Sequence, residues 1–137
     1  MKRIAIVIDK NLESGKVANA CSVLMGQGAL FNSGLYSNSK LKGVDNVVHA
    51  SIQYNIIILK GGAGQLLNLI FDAKKLLVED ESCIVFTKTG QGLHNSFEEY
   101  QKIIEESSVS DNSPVAVLLI GEDEIVRSLT KKFSLYV

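Results

Sequence analysis

Five consecutive apolar residues, Ile4-Ala5-Ile6-Val7-Ile8, open the chain and stop at Asp9-Lys10-Asn11. A run with no polar alternation marks a strand covered on both faces. The first strand is therefore placed over Arg3 to Ile8, inside a sheet rather than at its rim. Gly15 supplies a turn, and from Val17 the apolar period becomes helical, with Val17, Cys21, Leu24 and Gly28 on one face. A central strand that runs straight into an amphipathic helix needs a layer on each side of the sheet, which restricts the chain to α/β architectures. Lys16 then lies in the first helical turn beside the strand end, where open α/β sheets place ligand sites.

The same change of period recurs. Tyr54 to Leu59 reads as a strand, followed by Gly61-Gly62-Ala63-Gly64 and a helix over about Gln65 to Val78, with Leu66, Leu69, Ile70, Ala73 and Leu77 on its stripe. Ser82 to Phe86 is the third main strand. Ser96-Phe97-Glu98-Glu99 has the form of a capping box and opens a helix with Phe97, Tyr100 and Ile104 on one side. Asp111-Asn112-Ser113-Pro114 is a turn. Val115 to Ile120 is the fourth strand, and the last helix begins near Glu122. Its acidic residues come first and Arg127, Lys131 and Lys132 come late, as a helix dipole favours. Phe31 to Asn46 reads as a long surface loop, Val47 to Ser51 as a short extended piece, and Phe133 to Val137 as an edge strand or a docked tail.

Strands alternating with helices predict a single domain over residues 1–137: a three-layer α/β/α sandwich around a mixed, mainly parallel sheet of about four strands. With 137 residues, 46% of them hydrophobic, the chain can bury a real core. A formal charge of −1 gives no general attraction to polyanions. Asp9 ends the first apolar stretch too early for a signal peptide, and no stretch approaches the roughly twenty apolar residues of a spanning helix. The expectation is a cytoplasmic protein with no membrane partner. Cys21 and Cys83 lie in apolar runs and read as small core residues.

The candidate site gathers at strand ends. Lys16 at a helix start can hold an anion or polarise a carbonyl, and equally reads as a solvated lysine. Asp9 could orient Lys16 or a bound amine, or simply satisfy turn amides. Asn19 lies one helical turn from Lys16. Thr87, Thr89 and Gln91 offer hydroxyls and an amide after the third strand, and Gly90 would let backbone approach a ligand. His94 follows as a candidate acid or base. Gly61-Gly62-Ala63-Gly64 lacks the lysine and hydroxyl of a phosphate loop, and Leu67 breaks the dinucleotide pattern, so it reads as a turn. His49 and His94 have no metal-pair spacing, and neither a metal nor a cofactor is expected.

The order of these motifs resembles a known fold family. Ile6-Val7-Ile8-Asp9-Lys10-Asn11-Leu12, Gly15-Lys16-Val17-Ala18-Asn19-Ala20-Cys21, Ile84-Val85-Phe86-Thr87-Lys88-Thr89-Gly90-Gln91 and the closing Val115 to Gly121 are similar to type 2 peptidyl-tRNA hydrolases. The stretch Phe86-Thr87-x-x-Gly90-Gln91 with Tyr100 downstream is closer to a sister group, the domain-of-unknown-function 2000 family. The hydrolases carry arginine where Asp9 stands and aspartate where Asn11 stands. Their glutamine and histidine fall near Ala20 and Val23, and their acidic residue near Lys88. Lys16 is the functional position that carries over, so the resemblance makes it the catalytic candidate. The resemblance also implies a homodimer.

The leading expectation is a protein that binds or acts on a small polar ligand at the strand-end cleft near Lys16, with enzymatic activity left open. The alternatives are a divergent peptidyl-tRNA hydrolase, for which tRNA would be the partner though the near-neutral charge does not favour it, and a dimeric interaction module without catalysis.

Overall fold

The computed structural model describes residues 1–93 and 96–137. Strand β1 (Lys2–Asp9) has Ile4, Ala5, Ile6, Val7 and Ile8 all buried. Ile4, Ile6 and Ile8 enter one core and Ala5 and Val7 the other, which explains why the run shows no polar alternation. The remaining elements are α1 (Ser14–Phe31), β2 (Leu41–Lys42), β3 (Val48–His49), β4 (Ile56–Gly61), α2 (Ala63–Leu76), β5 (Cys83–Thr87), α3 (Lys88–Gly92), α4 (Phe97–Glu105), β6 (Pro114–Glu122), α5 (Asp123–Thr130) and β7 (Ser134–Leu135).

The main sheet has five strands in the order β5-β6-β1-β4-β7. β1 and β4 are parallel, in register from Ile4 opposite Ile56 to Asp9 opposite Gly61. β6 is antiparallel to both β1 and β5, and β7 is antiparallel to β4. The α/β class holds, with helices on both faces. The mainly parallel sheet of about four strands is corrected to a five-strand sheet in which antiparallel pairing predominates. The physical reason lies between β5 and β6. α3 and α4 do not carry the chain back across the sheet, so Pro114 starts β6 at the edge where Thr87 ends β5. The Lys88 amide donates to the Ser113 carbonyl there, and Ser113 turns the chain in the left-handed region at φ 56°.

α1 packs on one face through Val17, Ala20, Leu24 and Gly28, over Ile4, Ile6, Leu118 and Ile120. α2 and α5 cover the other face with Leu66, Leu69, Ile70, Ala73, Leu77 and Val126, over Ala5, Val7, Val117 and Leu119. The expected stripe of α2 is thus its buried face. α4 differs: it buries none of its residues, and Phe97 stays 68% exposed. Its opening Ser96 hydroxyl bonds the Glu99 carboxylate at 3.1 Å and caps no backbone amide. The expected loop after α1 holds β2, which pairs with β3 as a small exposed hairpin, Leu41 opposite His49.

Neither cysteine is in a disulfide. Burial pushes the Cys83 thiol up to about 11, with the Lys74 ammonium pulling the other way, and burial also raises Cys21. A thiol held protonated is a poor nucleophile. Alkylation of Cys83 by iodoacetamide at pH 8 is therefore expected to be on the order of a hundredfold slower in the folded protein than in urea, as read by mass spectrometry. Equal rates would show that the site is open. No helix among the described residues is long and apolar enough to cross a membrane.

Candidate functional site

β1, β4 and β5 all run in one direction, so their C-terminal ends meet at one edge of the sheet. With β6 between them, β5 and β1 are two strand spacings apart, about 10 Å. α1, α2 and α3 start from this edge. The Lys10 amide donates to the Gly61 carbonyl at 2.9 Å and extends the β1–β4 ladder into the loop.

Thr87 is buried and its Oγ1 accepts from the Gly90 amide at 3.2 Å, which caps the first turn of α3. α3 then presents Gln91 to α1. Gln91 Nε2 donates to the Lys16 carbonyl at 3.0 Å and to Asn19 Oδ1 at 3.3 Å. Gln91 Oε1 is closed off from solvent and receives no donor among the described residues. Buried acceptors are nearly always paired, so this atom stands out. The Lys16 side chain is exposed, and no ion pair among the described residues involves it.

The structure thus brings Lys16, Asn19 and Gln91 together, with Thr89 and Gly90 on the short helix that carries Gln91 and Thr87 capping it from the end of β5. Asp9 Oδ1 accepts from the Asn11 amide at 3.0 Å, as a turn aspartate does. At Gly90 the space a side chain would need is already filled. A Cβ there would stand 2.6 Å from the Phe86 ring and 3.2 Å from Tyr100 Oη. Burial pushes the Tyr100 phenol above its ordinary range. His94 lies outside the described residues. No group of three or more His, Cys, Asp or Glu residues among the described ones could hold a metal ion.

The glycine-rich turn after β4 also has a packing explanation. A Cβ on Gly61 would lie 2.4 Å from the Phe133 ring, and the Gly62 amide donates to Gln65 Oε1 at 2.9 Å. Sequence reasoning missed a second feature, an open groove of about 850 Å³ between α2 and the end of α5, lined in part by Phe71, Lys75, Leu129 and Lys132. Its walls are far apart in the chain, and no motif links them.

A solved structure of a protein of unknown function from Agrobacterium tumefaciens strain C58 is similar to this chain over 99% of its length and 98% of the neighbour's, with a TM-score of 0.87 at 12% sequence identity. At that identity the likeness is one of fold. No curated protein sequence matches the chain. Neither the neighbour nor the family whose profile matches the chain carries a hydrolase assignment. That profile, described as "Protein of unknown function (DUF2000)", spans residues 2–137, and the chain belongs to this family.

Proposed function

We propose that the protein binds a small polar anion at the strand-end edge, with Lys16 as its cation and Gln91 as its positioning group. The observation that supports this is the Gln91 bridge. It anchors α3 to the first turns of α1, beside a Lys16 ammonium that is in no ion pair among the described residues, and its own Oε1 lacks a donor among them. A helix start favours negative charge, and the N-cap residue of α1, Glu13, makes no side-chain capping bond to its first amides. The ligand class this suits carries a phosphate or carboxylate for Lys16, while Gln91 holds α3 against α1 beside it.

Binding is favoured over ester hydrolysis by what occupies the hydrolase positions. Ala20 faces the sheet with no exposed surface, and Val23 has no polar group, so α1 offers no acid or base at either place. The test uses glycerol 3-phosphate and N-acetylglycine as probes. Ligand at a hundredfold above Kd stabilises by about 2.7 kcal/mol, and the melting temperature should rise accordingly. Lys16→Ala should weaken the binding about tenfold or more, the loss of one charge-assisted contact. No shift with either probe, or an equal shift in the variant, would contradict the reading.

A further inference from the structure

The groove between α2 and α5 lies on the face of the sheet opposite α1. Its α2 wall is one helical face, since Gln65, Asn68, Asp72 and Lys75 recur at spacings of three and four. The other wall is the end of α5 and the turn beyond it, with Leu129, Lys131, Lys132 and Phe133. Buried Leu69 forms the floor, and the Phe133 ring closes one end over Gly61. From Gln65 to Leu76 the groove follows about three helical turns, roughly 16 Å.

Two properties distinguish this surface. Lys75, Lys131 and Lys132 face it against one carboxylate, Asp72, although the whole chain has a net charge of −1. None of the four is in an ion pair among the described residues. Phe71 and Leu76 are 51% and 52% exposed beside these cations. Lysines near helix ends suit the helix dipole, but the dipole gives no reason to leave a phenylalanine and a leucine half in water. A cationic rim around apolar anchors, open along a helix-length track, is the complement of an amphipathic acidic helix. We propose that the groove docks an acidic amphipathic helical segment of a partner protein, its apolar side on Phe71, Leu76 and Leu129 and its carboxylates on Lys75, Lys131 and Lys132. Free phosphate fits less well, because the lysines stand on two separate elements around an apolar floor.

The experiment is fluorescence anisotropy of the full chain with a dye-labelled synthetic helical peptide of about eleven residues. Leucines at helical spacing form one face of the peptide and glutamates the other. A second peptide replaces every glutamate by lysine. The acidic peptide is expected to bind saturably and the basic one not to bind. The double variant Lys75→Glu/Lys132→Glu should weaken the acidic peptide at least about tenfold, and Phe71→Ser should do so independently of charge. Lys40→Glu, immediately before the exposed hairpin, should leave it within about twofold. All these side chains are exposed, so the variants should keep the wild-type melting temperature. Equal binding of the basic peptide would overturn the proposal, as would indifference to the charge reversals. Groove amides that respond to inorganic phosphate and not to the acidic peptide would also overturn it. So would sedimentation showing that copies of the chain occupy the groove and separate in the Lys75→Glu/Lys132→Glu variant.

Discussion

Replacing Leu118 by alanine is expected to cost about 2–5 kcal/mol and lower the melting temperature by about 10 °C. Leu118 has no exposed surface and lies at the centre of β6, opposite Ile6, in the core that α1 covers. The cavity would open beneath Gly28, because a Cβ added at Gly28 would stand 2.7 Å from Leu118 Cδ2. This contact gives the prediction a second part. In the wild type, Gly28→Ala gains about 1 kcal/mol of helix propensity and loses it to the clash. In the Leu118→Ala background the shortest contact is gone and only Ile120 Cδ1 at 3.3 Å remains, so the double variant should be more stable than Leu118→Ala alone. Thermal and urea unfolding of the four proteins measures the coupling. A double variant less stable than Leu118→Ala would show that the glycine is there for a reason other than this packing.

Gly61→Val should cost about 1–3 kcal/mol, the usual result of forcing volume into a filled core. Gly61 is buried at the end of β4, with the Phe133 ring at 2.4 Å from its missing Cβ. Phe133→Leu frees part of that space and should recover some of the loss in the double variant. An unaffected melting temperature in Gly61→Val would mean that the ring moves aside freely. The two glycines share one logic: each lets an aliphatic or aromatic side chain from another layer reach the backbone.

The elements legible in the sequence are those whose burial leaves a period. β1 is an unbroken apolar run because both its faces are covered, and α2 repeats Leu66, Leu69, Ile70, Ala73 and Leu77 because one face is. Strand direction leaves no such mark. β6 has the same composition whichever way it runs, and only the path through α3 and α4 decides it. α3 was unreadable for a local reason. Lys88-Thr89-Gly90-Gln91-Gly92 has two glycines in five residues and reads as a loop. Its helix is held by the Thr87 cap and by Gln91 bonding to a carbonyl 75 residues away. Part of the candidate cluster was legible because strand ends in an α/β sheet converge. That convergence predicts Lys16, Asn19 and Gln91 near one another, while the bridging bonds of Gln91 and the turn bond of Asp9 leave no mark in the sequence. The α2–α5 groove has no signature at all, since Lys75 lies on α2 while Lys131 and Lys132 lie in the turn after α5, separated by most of the second half of the chain.

The most direct test of the strand-end site is an amide map. A uniformly 15N-labelled sample is titrated with glycerol 3-phosphate, and the backbone shifts are followed residue by residue. The proposed site predicts saturable shifts concentrated at Gly15, Lys16 and Asn19 on α1 and at Thr89 to Gly92 on α3, with those shifts lost in Lys16→Ala. Saturable shifts confined to α2 and α5, or none at any concentration, would contradict it.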